Sequence, residues 1–272
     1  VLRIGAVPSW RWWRDLEEKE EVRVLSLSNA PFRGLARTTN VAVASMAGVM
    51  SSEVEPGTQE MALLEERGAK ISARLDELLR RHPHSEPAWV RQLSGLIPTG
   101  ATVFLGNSLP IREWNLAAEK PKAGTHIFAN RGANGIDGLI STGFGVGAEA
   151  EEGWNGAEEC WIVVGDLSAL YDMNAPWILP QLKNRRWRIV VINNGGGKIF
   201  SRVAWLRGLP EAVQSMVENR HTLHFEHWAK QWNLEYRRFE KAEELRDDDA
   251  ACVVWEIIPD AEQTEAFWAE WK

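Results

Sequence analysis

The sequence predicts an α/β fold organised around a doubly wound parallel sheet. From residue 101 onward, short continuous apolar runs recur, and each ends in a polar loop leading toward a helical segment. A strand that is apolar throughout must be covered on both faces, and crossover helices provide that cover for parallel strands. The loops after four of these runs hold Gly, Asn, Ser, Asp and Arg. In such sheets ligands bind at the carboxyl ends of the strands, where all four loops fall.

The elements follow in order. Residues 2–7, 22–27 and 39–44 read as short strands, with β-branched residues between Pro, Gly and Asn breakers. A charged helix follows from about residue 60 to 81, with Leu63, Leu64, Ile71, Leu75, Leu78 and Leu79 near helical spacing. It stops at His82-Pro83-His84, and Ser85 before Glu86-Pro87 reads as an N-cap with proline in the first turn. A domain boundary is expected here, between 1–83 and 84–272. In the second region Ala101-Thr102-Val103-Phe104-Leu105 runs into Gly106-Asn107-Ser108, and His126-Ile127-Phe128-Ala129 into Asn130-Arg131-Gly132. Trp161-Ile162-Val163-Val164 runs into Gly165-Asp166, and Arg188-Ile189-Val190-Val191-Ile192 into Asn193-Asn194-Gly195. Val253-Val254-Trp255-Glu256-Ile257-Ile258 is the last strand, before a final short helix.

Composition narrows the function classes. With 44% hydrophobic and 25% charged residues the chain has the make-up of a globular protein. No stretch approaches the roughly 18 apolar residues of a membrane span. A net charge of −7 argues against a nucleic-acid partner, while leaving room for a local basic pocket. Cys160 and Cys252 are far apart and lack metal-type spacing; Cys252, in the run Ala251-Cys252-Val253-Val254-Trp255, reads as a core thiol. Nothing calls for an oxidising compartment, no basic segment followed by an apolar run opens the chain, and a cytoplasmic location is expected. The chain starts inside a strand and without methionine, which reads as a segment of something longer. Among the 15 tryptophans, Trp10, Trp12, Trp13, Trp268 and Trp271 lie among charges, leaving an interface or a helix face open.

Asp166 follows an apolar strand and opens the next helix, so its carboxylate can hold a hard cation while helix N–H groups face an anion. Asn194, at the end of the neighbouring predicted strand, offers an amide oxygen, and Gly195, Gly196 and Gly197 allow a backbone carbonyl to turn inward. Those oxygens with two diphosphate oxygens would give magnesium most of its shell. Alone, Asp166 would be a helix cap and Asn193-Asn194-Gly195 a turn. Together, one helix-strand unit apart, they point to a cation and diphosphate site.

This pattern resembles the Gly-Asp…Asn-Asn signature of thiamine diphosphate (ThDP) dependent enzymes. The resemblance implies ThDP and Mg²⁺, or Mn²⁺ in its place, with the metal on Asp166, Asn194 and the backbone of Gly196. Leu167 stands where many members carry glycine, which narrows the branch. Three longer blocks sharpen it: Gly106-Asn107-Ser108-Leu109-Pro110-Ile111-Arg112, Ala129-Asn130-Arg131-Gly132-Ala133-Asn134-Gly135-Ile136-Asp137-Gly138, and Gly165-Asp166-Leu167-Ser168-Ala169-Leu170-Tyr171-Asp172-Met173-Asn174. With Lys198-Ile199-Phe200 and His224-Phe225-Glu226-His227, they are similar to the 2-succinyl-5-enolpyruvyl-6-hydroxy-3-cyclohexene-1-carboxylate (SEPHCHC) synthase family of menaquinone biosynthesis. The similarity is strong over about 97–232 and weaker outside.

That family decarboxylates 2-oxoglutarate and adds the succinyl unit to isochorismate. Both substrates are multiply anionic, which suits guanidinium groups that grip carboxylates with two N–H bonds. The resemblance implies that Ser108, Arg112 and Arg131 bind the succinyl carboxylate, with Ser108 also among the cofactor contacts. It implies that Ile136 wedges ThDP into a bent form, that Gly165, Leu167, Ser168 and Ala169 surround the diphosphate, and that Ile199 and Phe200 wall the thiazolium. Plainer readings stay open: surface charge for Arg112, a loop brace for Arg131, core packing for Ile136, Ile199 and Phe200. His224 and His227 lie three apart, a spacing open to metal ligation on a helix, but without an evident carboxylate or cysteine partner they read as structural.

No catalytic residue is assignable. The resemblance puts the activating glutamate in an N-terminal pyrimidine-binding domain that this chain lacks, with 84–272 the diphosphate-binding domain and 1–83 the latter part of an α/β central domain. The chain alone is expected to be inactive, and a homodimer or homotetramer is implied for the intact protein. Another ThDP-dependent 2-oxo acid decarboxylase or carboligase is an alternative, against which Arg112 and Arg131 speak. A second is a cofactor-binding subunit that needs a separate pyrimidine-domain partner. A nicotinamide-binding domain is more distant, because no Gly-x-Gly-x-x-Gly follows the first strand of a βαβ unit.

Overall fold

A computed structural model describes residues 1–4, 11–28, 35, 39–42, 59–130, 134–153, 159–182, 185–203, 205–246 and 249–271. The chain divides into two compact units, Val1–Glu66 and Arg67–Lys272. The first holds β1 (Leu2–Ile4), α1 (Arg11–Asp15), β2 (Leu25–Ser28) and β3 (Thr39–Ala42). Its strands form a parallel sheet in the order β1-β2-β3, with Leu2 opposite Leu25 and Leu25 opposite Thr39. Trp13 packs with Leu16, Val24 and Leu35, and the Arg3 guanidinium lies 5.7 Å from the Trp13 ring centroid. Residues 5–7 and 43–44 of the predicted strands, and Trp10, lie outside the described residues.

The division falls inside α2 (Gln59–Arg81), the charged helix expected from the leucine spacing. Its last turns bury Leu75, Leu78 and Leu79 against Ala88, Ala117 and Phe267. Ser85 then takes an extended N-cap backbone (φ −67°, ψ 152°) before α3 (Glu86–Leu96), and its carbonyl accepts from Trp89 N at 3.0 Å. Its hydroxyl makes no capping bond, so the predicted cap acts through the backbone alone.

The second unit continues with β4 (Thr102–Leu105), α4 (Leu109–Ala117), β5 (His126–Ala129), α5 (Leu139–Gly153), β6 (Glu159–Gly165), α6 (Asp166–Tyr171) and β7 (Arg186–Ile192). It closes with α7 (Glu211–Glu218), α8 (Glu226–Gln231), β8 (Glu235–Phe239), β9 (Cys252–Ile257) and α9 (Ala261–Trp271). All six strands are parallel, in the order β5-β4-β6-β7-β9-β8. The α/β fold with a helix-covered parallel sheet is therefore as the sequence predicts.

Period-2 alternation divides the apolar strand residues between two cores. Val103, Leu105, Trp161, Val163, Val190, Ile192, Val253 and Trp255 face one side with Trp89, Val90 and Leu93 of α3. Phe104, Ile162, Val164, Ile189, Val191 and Val254 face the other with Leu139, Ile140 and Phe144 of α5 and Trp228 of α8. Helix α5 lies close to the sheet because glycine permits it: a Cβ on Gly143 would meet Ile162 Cδ1 at 2.8 Å, and one on Gly147 would run into the Trp187 ring. Trp89, Trp161, Trp187 and Trp255 are fully buried, and Trp161 meets Trp255 edge-on at 5.2 Å, so much of the tryptophan content is core. Trp268 and Trp271 are part-buried against Phe267, whereas Trp12 is exposed.

Two departures from the sequence reading have electrostatic causes. β6 and β7 begin earlier than expected, at Glu159 and Arg186, because their charged ends neutralise one another: Arg188, fully buried, sits 2.9 Å from Glu159, and Arg186 sits 3.3 Å from it. β8 was not foreseen. It is an edge strand carrying Glu235, Arg237 and Arg238 on exposed positions, so it has little apolar periodicity to read. No described helix is long and apolar enough to cross a membrane.

The chain leaves β4 toward β5 on one side, then passes back to β6 on the other. That reversal is the topological switch point, where a crevice opens at the carboxyl ends.

Candidate functional site

The crevice is a cavity of about 490 Å³ lined by the loop after β4, residues 134–137, the start of α6, and residues 194–200 after β7, with Glu86 of α3. Asp166 is 2% exposed and held by backbone donors. Its Oδ1 accepts from Leu167 N at 2.6 Å, and its Oδ2 accepts from the N–H groups of Gly195 and Gly196, both at 2.8 Å. His221 Nε2 lies 3.3 Å from the same Oδ2. The His221 Nδ1 accepts from Leu223 N at 3.1 Å. Burial pushes the Asp166 carboxyl above its ordinary value, and the N–H bonds and His221 oppose that rise without cancelling it.

The turn that supplies those donors depends on glycine. Gly195 has φ 80° and Gly196 φ 137°, and a Cβ on Gly196 would stand 2.7 Å from the Glu218 carbonyl oxygen. The Gly196 carbonyl accepts from Lys198 N at 2.8 Å. Asn193 and Asn194 divide their work. Asn193 Nδ2 donates to Glu256 Oε1 at 2.6 Å and to the Leu223 carbonyl at 2.9 Å, which pins the loop to β9. Asn194 Nδ2 donates to both carboxyl oxygens of Glu86, at 3.1 and 3.0 Å, while Asn194 Oδ1 is buried with no hydrogen-bond partner.

Glu86 is 1% exposed and Glu113 fully buried beside it. Burial pushes Glu86 up to about 7, despite hydrogen bonds from Asn194 and Glu113 and the nearby Arg202. Glu113 is raised well above the ordinary range by burial first and then by the charge of Glu86. Glu86 thus accepts from Asn194 on one side and has the buried Glu113 beside it.

The other expected residues fall as follows. Ser108 lines the cavity at φ 74°, a conformation an L-residue holds only when its surroundings enforce it. Arg112 also lines it and donates from Nη1 to the Ser108 carbonyl at 2.6 Å. Gly165, Leu167, Ser168, Ile136, Ile199 and Phe200 are all in the wall, Ile136 also packing on the core and Phe200 being 39% exposed. Ala169, on α6, is fully buried in the core and does not line the cavity. Arg131 lies outside the described residues. His224 bonds to Glu256 at 2.9 Å. Cys252 is part-buried, and burial raises its thiol to about 12. Among the described residues no three His, Cys, Asp or Glu side chains cluster as a metal group.

Sequence reasoning missed Glu86, Glu113, His221 and Asn107, whose Nδ2 donates to the Gly135 carbonyl at 2.7 Å and ties two walls together. Asn107 stood within a quoted block. The others carried no local signal.

No family model matches the chain. Curated relatives do. It is 38% identical over 277 aligned positions to a SEPHCHC synthase of Bdellovibrio bacteriovorus, covering 100% of this chain and 49% of that protein. It is 37% identical over 270 positions to the SEPHCHC synthase of Akkermansia muciniphila, covering 97% of this chain and 49% of the relative. A third, from a Roseiflexus species, is 32% identical over 90% of this chain and 42% of its own length. The chain is thus a homologue of SEPHCHC synthases, and it spans about half the length of the curated relatives it matches.

Proposed function

We propose that this homologue of the SEPHCHC synthases carries the cation- and diphosphate-binding half of a ThDP-dependent transferase active site. The reaction read for the whole protein is decarboxylation of 2-oxoglutarate and transfer of the succinyl unit to isochorismate, in menaquinone biosynthesis. The observation that carries the reading is Asn194 Oδ1, a buried acceptor without a partner in the wall it shares with Asp166 and Gly196. A carboxylate, an amide oxygen and a backbone carbonyl are hard oxygen donors of the kind Mg²⁺ or Mn²⁺ prefers. The residues present therefore fit the cation, with Asp166, Asn194 and the Gly196 carbonyl as its protein ligands.

When bound, ThDP would supply the electron sink that 2-oxo acid decarboxylation requires. The chain's own residues bind and orient. Ser168 and the start of α6 serve the diphosphate. Ile136, Leu167, Ile199 and Phe200 make an apolar wall that keeps water from the reacting end of the cavity. Arg112, anchored on the Ser108 carbonyl, supplies a guanidinium for the second carboxylate of the donor, and Arg131 is proposed for the same task from sequence alone. In this reading 84–272 is the diphosphate-binding domain, 1–83 belongs to a central domain, and the site is completed by a pyrimidine-binding domain, in a homo-oligomer.

The reading is tested by titrating the chain with Mn²⁺ in the presence of ThDP and following free Mn²⁺ by electron paramagnetic resonance. Binding that depends on ThDP is expected, and Asp166→Asn should weaken it by at least about tenfold, as loss of a charged ligand demands. Mn²⁺ binding indifferent to both ThDP and Asp166→Asn would sink the proposal.

A further inference from the structure

We propose that Glu86 is a positioning residue that selects which end of the Asn194 amide faces the cation. The inference rests on the cation reading given above for Asp166 and Asn194. A side-chain amide has two nearly isosteric ends, one a donor and the other an acceptor. Only the oxygen can ligate a hard cation, so an amide ligand free to flip would spend part of its time presenting N–H groups to positive charge.

The structure removes that freedom. Both Glu86 oxygens lie about one hydrogen bond from Asn194 Nδ2, at 3.1 and 3.0 Å. A carboxylate accepts only, so it holds the NH₂ end and turns Oδ1 away, where it is buried without a partner. The reverse flip would set an amide oxygen against a carboxylate, a mismatch that burial makes costly. Glu86 is itself held in place. Its backbone N–H donates to Thr264 Oγ1 at 3.0 Å, Pro87 follows it in the first turn of α3, and the residue is 1% exposed. Glu113, fully buried on α4, lies behind it, which leaves the Asn194 face of the Glu86 carboxyl as the acceptor for the amide. Among the described residues, Glu86 is the one residue of α3 in the cavity wall.

The test must separate orientation of the amide from simple support of the fold. The full chain is titrated with Mn²⁺ in the presence of ThDP, by electron paramagnetic resonance, in a cycle of Glu86→Gln, Asn194→Asp and the double variant. Glu86→Gln offers Asn194 a donor as well as an acceptor and releases the flip, so Mn²⁺ affinity should fall roughly tenfold or more, the usual scale for groups that orient a metal ligand. In the Asn194→Asp background there is no amide to orient, and the two carboxylates repel. There Glu86→Gln supplies the N–H group that the new carboxylate needs, and affinity should rise.

A change of sign between the two backgrounds is the expected signature, because a structural role would lower affinity in both. The inference is overturned if Glu86→Gln leaves affinity unchanged, if it lowers affinity equally in both backgrounds, or if circular dichroism shows that it unfolds the chain. Wild-type chain that binds no Mn²⁺ with ThDP would overturn the functional reading and this inference with it. Wild-type binding with an indifferent Glu86→Gln would overturn this inference alone.

Discussion

Glu256 shows how a single buried carboxylate can organise the loop beside the cavity. Burial alone pushes it up, but donors outweigh that: the Tyr236 hydroxyl, Asn193 Nδ2 at 2.6 Å, the Phe225 N–H at 3.0 Å and His224 at 2.9 Å hold it below its ordinary value. A carboxyl depressed by folding contributes stability that is fully present above its unfolded value of about 4.3 and is lost as pH falls through the folded value. Glu256→Gln removes that contribution and leaves donors poorly matched, so it should cost about 2 kcal/mol or more near neutral pH. Urea unfolding from roughly pH 7 to pH 3 checks this, since the gap between wild type and variant should narrow on acidification. A gap independent of pH would show that the carboxylate's charge contributes nothing. At this scale the meeting of Asp166 and Asn194 in one cavity wall was legible in the sequence, because each follows its own apolar strand. Glu86 was not: a glutamate before proline at a helix start reads as an ordinary first-turn acid. Only packing shows it 1% exposed against Asn194.

Helix α5 separates local propensity from tertiary fit. Replacing glycine by alanine inside a helix gains about 1 kcal/mol when nothing else changes. Gly145 meets nothing within 4 Å of an added Cβ, so Gly145→Ala should stabilise by up to about that amount. Gly147 sits against the fully buried Trp187 ring, and there the overpacking cost of about 1–3 kcal/mol should exceed the propensity gain. Thermal unfolding of the two variants should therefore shift in opposite directions; equal shifts would mean that α5 can move away from the sheet at little cost. The sequence could place α5 by its position between two strands. It could not distinguish these two glycines, because their difference lies in what stands across from them.

At the scale of the whole molecule, the six parallel strands bring four loops to one crevice, yet the chain spans about half of each relative. If the glutamate that activates the aminopyrimidine belongs to the half not spanned, binding and turnover should come apart. Supplied with ThDP, Mg²⁺, 2-oxoglutarate and isochorismate, this chain is expected to bind cofactor and form no SEPHCHC, as followed by loss of 2-oxoglutarate. Product formed by the chain alone would mean that it holds a complete catalytic set and that the division of roles proposed here is wrong.

Apolar runs and their polar ends were enough to determine the fold class and the edge of the sheet where the cavity opens. Those features are local: a strand buried on both faces must be apolar along its length, and the loop after it must carry whatever the site requires. Strand order, the edge strand Glu235–Phe239 and the pairing of Arg188 with Glu159 came from tertiary structure, since a charged residue's burial depends on which partner packing delivers. The same holds at the centre of the site. Asn194 was readable as a donor of oxygen, but the direction its oxygen takes is set by Glu86 from another helix, through hydrogen bonds that no spacing along the chain encodes.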